Sequence, residues 1–301
     1  MYFLNRRVLL ITGKGGVGRT AVAVALARAT AQAGKKTLLL EVGDPGGGHS
    51  STGAFFGKRY LSAEAQPVAD NLCLAHMWAR RGHELFLQSV LPGKTLIRAA
   101  LRSKAVGRFL IAAPSLHEMG LFYHILTLLK STDEHGRLKH DLIIIDMPAT
   151  GHALALTGLP DILLKLIPGG PIARALKEGQ EYFNNPTKGE AWVVTLPEKL
   201  PITEAMELVE GLAGTGVTTG GFILNRVPEN PFSDEEFEAL EPVLRAQGFH
   251  GQLSLDRIKS AGSARERLTE TLQIPVLELP EVKTEMVETL TGELSQYMVR
   301  P

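Results

Sequence analysis

Apolar residues in this chain gather in short unbroken runs instead of alternating with polar ones. Val8-Leu9-Leu10-Ile11-Thr12, Thr37-Leu38-Leu39-Leu40-Glu41-Val42, Asp141-Leu142-Ile143-Ile144-Ile145-Asp146, Ala191-Trp192-Val193-Val194-Thr195 and Gly221-Phe222-Ile223-Leu224-Asn225 share this form. Runs of this length, bounded by glycine or polar residues, predict strands buried on both faces, as in a parallel sheet. Ile274-Pro275-Val276-Leu277-Glu278-Leu279 is a sixth, with Pro275 placing its start at an edge or strand end. Leu72-Cys73-Leu74-Ala75 is a further candidate.

Helical patterns separate the runs. Residues 20–33 are alanine-rich and stop at Gly34; residues 203–212, 234–247, 263–272 and 282–298 follow the same alternation. Strand, helix, strand in repetition predicts an α/β fold: a mostly parallel sheet with helices on both faces and right-handed crossovers. Residues 82–130 contain no convincing strand. Residues 153–183 read as apolar helix broken at Pro160, Pro168 and Pro171. Both stretches are expected to form helical additions beside the sheet.

Composition narrows the picture. Hydrophobic residues make up 44% and charged residues 21%, a globular balance that argues against disorder. Lys+Arg and Asp+Glu are both 32, so the total charge calls for neither nucleic acid nor an acidic membrane. The single cysteine, Cys73, excludes an internal disulfide or a cysteine metal cluster and suits a reducing compartment. No apolar stretch reaches the ~18 residues of a membrane span, and the start lacks the features of a signal peptide. A cytoplasmic protein without a membrane span is expected.

The first run leads straight into Gly13-Lys14-Gly15-Gly16-Val17-Gly18-Arg19-Thr20. This matches the phosphate loop G-x-x-x-x-G-K-[ST] at every fixed position except the lysine, where Arg19 stands. Glycines let successive backbone N–H groups face phosphate oxygens, and the following helix offers its positive end. The Thr20 hydroxyl is placed for a magnesium ion. The bland alternative is a glycine-rich turn without a ligand; a strand before and a helix after favour the phosphate loop. Lys14 adds information, because an ordinary loop does not require lysine directly after its first glycine. A solvated loop lysine is the ordinary alternative.

With Lys14, the loop resembles the deviant P-loop of a class of dimeric ATPases, and other segments resemble the arsenite-pump and tail-anchored-protein-targeting ATPase family. Asp146-Met147-Pro148-Ala149-Thr150-Gly151-His152 is similar to that family's second switch, Asp-Thr-Ala-Pro-Thr-Gly-His. Asp44-Pro45, followed by His49-Ser50, resembles the first switch, lengthened here by Gly46-Gly47-Gly48. Leu196-Pro197-Glu198-Lys199-Leu200-Pro201 resembles the loop after the fourth strand.

The likeness spans nearly the whole chain and implies one P-loop ATPase domain over residues 1–301. It implies that ATP or ADP sits on Gly13, Lys14, Gly15, Gly16, Val17, Gly18, Arg19 and Thr20, with Thr150 and Gly151 beside them. Asn225 and Arg226 match the position that hydrogen-bonds adenine, and Pro280 with Val282 resembles a second adenine wall. Magnesium is implied at Thr20 and Asp146. Asp44 is implied to orient the attacking water, with Lys14 and Arg19 as the other catalytic candidates. Ordinary roles stay open: a strand-end cap for Asn225, a helix start for Pro280, turn aspartates for Asp44 and Asp146.

In the family Lys14 reaches across to the partner's nucleotide, so a homodimer, or a heterodimer with a paralogue, is implied. Leu116, Met119, Tyr123, Leu126 and Leu129, and Ile162, Leu163, Leu166 and Ile167, follow helical spacing. In tail-anchor-targeting members, helices in these regions shield a hydrophobic membrane segment, whereas periodicity alone favours core packing. The family's Cys-x-x-Cys zinc site and arsenite-binding cysteines are absent from the sequence, and His117-Glu118 lacks H-E-x-x-H spacing, so no metal beyond magnesium is expected. Three functions compete: a slow, dimeric, client-binding ATPase; a hydrolysis-impaired regulatory subunit; and a cell-division or partition-type spatial regulator. The third ranks last, because the tail from residue 281 is acidic on balance and the second switch ends in Thr-Gly-His.

Overall fold

A computed structural model describes residues 3–43, 49–91, 114–148, 150–246, 252–284 and 286–299. The first, second and fifth predicted runs become β1 (Val8–Gly13), β2 (Thr37–Val42) and β7 (Thr219–Val227). The others give β4 (Leu72–Met77), β5 (Leu142–Asp146), β6 (Gly189–Thr195) and β8 (Val276–Pro280). The sheet adds one strand not predicted, β3 (Gln66–Ala69), whose four residues carry no apolar run. The order is β3-β4-β2-β5-β1-β6-β7-β8, parallel throughout except β3 against β4. β8 lies at an edge, where Pro275 costs no ladder hydrogen bond. β1, β2, β5 and β6 are buried along nearly their whole length, which is why they read as continuous apolar runs.

One face of the sheet is covered by α1 (Arg19–Gln32) and α10 (Val287–Val299). In α1, Ala23, Ala25, Ala27, Ala29 and Ala31 are buried, and their small side chains let the helix lie close to Leu9, Ile11, Leu39 and Ile144. The other face is covered by α3 (Ala79–Val90), α4 (Pro114–Leu129), α5 (Thr150–Leu166) and α6 (Gly170–Phe183). α7 (Lys199–Ala213) and α9 (Gln252–Leu272) complete it. α2 (Ser51–Ala54) is a single turn and α8 (Asp234–Ala246) packs outside α9. α3 and α4 approach so closely that a Cβ on Gly82 would overlap the Gly120 carbonyl oxygen.

Several predicted boundaries are corrected. Pro160 does not break α5 but lies inside it; the helix instead ends at Leu166, ahead of Pro168. α7 begins at Lys199, four residues before Thr203, and α9 at Gln252, eleven before Ser263. Polar residues such as Asp256 and Lys259 dilute the apolar period in the first turns of α9. α10 starts at Val287 and not at residue 282. The α4 stripe is core: Met119, Leu126 and Leu129 are buried, as is Leu163 of α5. Ile162 and Leu166, by contrast, are 57% and 73% exposed. Among the described residues, no helix is long and apolar enough to cross a membrane.

Candidate functional site

β1 runs through the middle of the sheet and delivers residues 13–20 to the carboxyl ends of the strands. There the chain order diverges to β5 on one side and β6 on the other, the kind of crevice in which open α/β sheets hold ligands. The loop turns into α1 at Gly18, whose φ of 88° is left-handed and suited to glycine. A Cβ at Gly18 would also stand 2.5 Å from Asn225 Nδ2. That amide donates to the Val17 carbonyl at 2.8 Å, so the end of β7 braces the loop from below. The resemblance implied a base-facing Asn225, with a strand-end cap as the alternative; in this structure its Nδ2 donates to the loop backbone.

Thr20 and Asp146 come together as the sequence implied. The Thr20 hydroxyl donates to Asp146 Oδ2 at 2.8 Å. Asp146 ends β5 and is buried. Burial pushes its carboxyl up to about 6; the Thr20 hydroxyl and the Arg19 guanidinium pull the other way, and the Glu41 carboxylate adds to the rise. A hydroxyl and a carboxylate are hard oxygen donors and suit magnesium. Among the described residues, no group of three or more His, Cys, Asp or Glu could hold another metal.

The two loop cations have intrachain partners. Arg19 Nη1 donates to the Met147 carbonyl oxygen, directly after Asp146. Lys14 Nζ lies 3.3 Å from Glu204 Oε1 of α7, a half-exposed pair of the kind that contributes little to stability. Neither partner was legible: a carbonyl has no sequence signature, and Glu204 is one of many helix carboxylates. Arg226 has a φ of 57° and lines a cavity of about 430 Å³ with Leu196, Pro197 and Glu198. Pro280 and Val282 line a neighbouring cavity of about 770 Å³ with Val227, Arg257 and Tyr297. Thr150 and Gly151 open α5. Asp44 lies outside the described residues.

Comparison with known proteins gives the family. The model of the family described as Anion-transporting ATPase matches residues 6–168, more than half of the chain, and the chain belongs to that family. It is thus an ATP-binding ATPase in type. Similar proteins include ATPase BagA of Mycobacterium tuberculosis, 26% identical over 97% of this chain and 84% of that protein. Putative arsenical pump-driving ATPase 2 of Aquifex aeolicus is 29% identical over 79% of this chain and 85% of its own length. ATPase GET3 of Kluyveromyces lactis is 23% identical over 74% of this chain and 72% of its own.

Proposed function

We propose that the chain is a slow, magnesium-dependent ATPase that works as a dimeric nucleotide switch. The observation that carries this is the Thr20–Asp146 hydrogen bond at the carboxyl ends of two central strands, directly under the glycine loop. In this reading residues 13–20 cradle the phosphates with backbone N–H groups and the start of α1. Thr20 and Asp146 hold magnesium, which neutralises charge on the phosphate oxygens when bound. Asp44 orients the attacking water, and Thr150 and Gly151 flank the phosphates. Asn225 steadies the loop, while Arg226, Pro280 and Val282 border the space for the base. Lys14 leaves Glu204 when a second subunit, of this chain or a paralogue, presents its nucleotide. The exposed Ile162 and Leu166 support an apolar client surface on α5, narrower than the family resemblance implied because Met119, Leu126 and Leu163 are buried, as periodicity favoured.

Arg19 favours slow turnover. Lysine is a compact charge on a flexible stem, whereas the planar guanidinium has fixed donor directions and here points at the Met147 carbonyl. Binding survives while transition-state stabilisation suffers, because only differential stabilisation accelerates the reaction. The same observation supports the second reading, a hydrolysis-impaired regulatory subunit. Calorimetry with magnesium–ATP and magnesium–ADP tests the site; absence of binding by both overturns it. Arg19→Lys then separates the readings. A rise in turnover on the order of a few hundredfold at similar affinity supports slow catalysis by the native chain. A native rate equal to that of the variant removes the argument from Arg19.

A further inference from the structure

After its opening Arg19, helix α1 carries one further charge, Arg28, among alanine, valine, leucine, threonine and glutamine. Arg28 lies about 14 Å along the helix axis from Arg19. Ala31 and Gln32 share its face of the helix, three and four residues on. Across from that face stand Phe55 and Phe56, just after α2, and Val68 and Leu72 of the β3–β4 pair. Together they line a cavity of about 290 Å³.

The Arg28 guanidinium stands 5.0 Å over the Phe56 ring, and Nη2 donates to the Phe55 carbonyl oxygen at 3.3 Å. Nε is shut off from solvent and has no partner among the described residues. The acids that line the same cavity, Asp70 and Glu288, are exposed at its mouth, and among the described residues no carboxylate pairs with Arg28. A neutral glutamine could serve the Phe55 carbonyl equally well. What the fold leaves over is a net positive charge against apolar walls, an arrangement that is costly without a counter-ion.

We propose that this cavity binds a small apolar monocarboxylate, with the carboxylate on Arg28 and the hydrophobic body between Phe55, Phe56, Val68 and Leu72. A charge-assisted hydrogen bond to the guanidinium supplies the missing counter-charge. The volume lies between the ~150 Å³ that holds benzene and the ~300 Å³ at which ligand pockets begin, so it suits one ring or one branched chain. Asp70 and Glu288 repel a second negative charge, which excludes phosphates and dicarboxylates. They leave two sources for the carboxylate: a simple acid, or an amino acid whose ammonium group faces the two rim carboxylates. The site shares no residue with the phosphate loop, so the proposal stands apart from the ATPase reading.

Titration calorimetry on the native full-length protein tests it with phenylacetate and phenylalanine, and with phenylacetamide and succinate as controls. Saturable binding of phenylacetate identifies a simple acid; tighter binding of phenylalanine identifies an amino acid. The amide, which lacks the charge, and succinate, which carries two, should bind at least about 10-fold more weakly. Arg28→Met keeps the length of the stem and removes the charge, and should weaken the bound acid about 10- to 100-fold. Ala69→Trp, on the exposed face of β3, leaves Arg28 in place and fills the cavity from its lining, and should abolish binding. Absence of binding by both acids up to about 10 mM overturns the proposal. So does binding of the amide or succinate as tight as that of the acid, or undiminished binding in either folded variant. If Arg28→Met does not fold without its clamp on Phe55, Ala69→Trp and the ligand series decide.

Discussion

The two faces of the sheet are built on different principles. Under α1 the packing is made by alanines against branched aliphatics, and the charged groups stand at the strand ends around Thr20 and Asp146. Under α3, α4 and α6 a largely aliphatic core is joined by close glycine approaches between helices: Gly82 against the Gly120 carbonyl, Gly179 against the Phe122 ring. That face also buries two histidines, His83 and His124, whose imidazoles burial holds below the usual histidine range. One face buries an acid beside the glycine loop, and the other buries bases that no proposed step uses. Titratable groups of opposite sign on opposite faces make the comparison measurable.

The largest expected effect is steric. Gly82→Val forces a branched side chain into the Gly120 backbone, where neither helix can relax cheaply, and should cost about 3 kcal/mol or more. The drop in urea midpoint checks it; a loss below about 1 kcal/mol would mean that α3 and α4 separate easily.

His124 comes next. Burial, with the Arg81 charge adding to it, lowers its pKa from 6.5 to about 4. The unfolded chain then binds the extra proton first. Its stabilising contribution is complete above pH 6.5 and is lost as pH falls toward about 4, amounting to about 3 kcal/mol at the acid end. His124→Gln should remove that slope from a series of urea melts.

Asp146 gives the opposite sign. Its carboxyl is raised from 3.8 to about 6, so the folded chain binds the proton more tightly. Its stabilising contribution is complete below pH 3.8 and is lost as pH rises through about 6, leaving a deficit of roughly 2–3 kcal/mol at neutral pH without metal. Asp146→Asn should therefore be more stable than the native protein at pH 7 and should lose metal-dependent nucleotide binding. Between pH 4 and 6 the two faces oppose each other, so the native curve should be flatter than that of either variant. A native acid slope as steep as in Asp146→Asn would mean that the carboxylate is better solvated than its burial implies.

The smallest stability effect is at Gly18. Alanine there meets Asn225 and an unfavourable φ, at a cost of about 1–2 kcal/mol. Nucleotide affinity should fall by far more than this strain alone predicts, which calorimetry on the folded variant would register.

The same contrast explains what the sequence made legible. The α1 face depends on neighbours in the chain: an apolar run, a glycine loop, an alanine helix. Each has a local signature, so β1 and α1 follow from residue types and spacing, whereas the Thr20–Asp146 pair, 126 residues apart, was implied by the family resemblance. The other face depends on approaches between distant segments. Nothing near Gly82 announces that Gly120 will sit against it, although the apolar period of α4 did favour the core packing that Met119, Leu126 and Leu129 show. Pro160 misled because a proline inside a pattern usually ends a helix, yet α5 continues through it. β3 was missed because its four residues, Gln-Pro-Val-Ala, form no apolar run and include a proline. Glu41 did leave a signal, a lone carboxylate at the end of a buried strand, whose significance appears only with its partners Ser50, Ser51 and Thr52.

The brace from Asn225 to Val17 spans 208 residues of chain. A protein emerging from a ribosome presents its glycine loop early, but that brace cannot form until β7 has been made. At ~5–20 residues per second the interval is roughly 10–40 s. Throughout it the nascent chain carries its loop without the amide that steadies it in the finished fold. The brace is thus a late event in the life of each molecule, timed by the distance between two residues along the message.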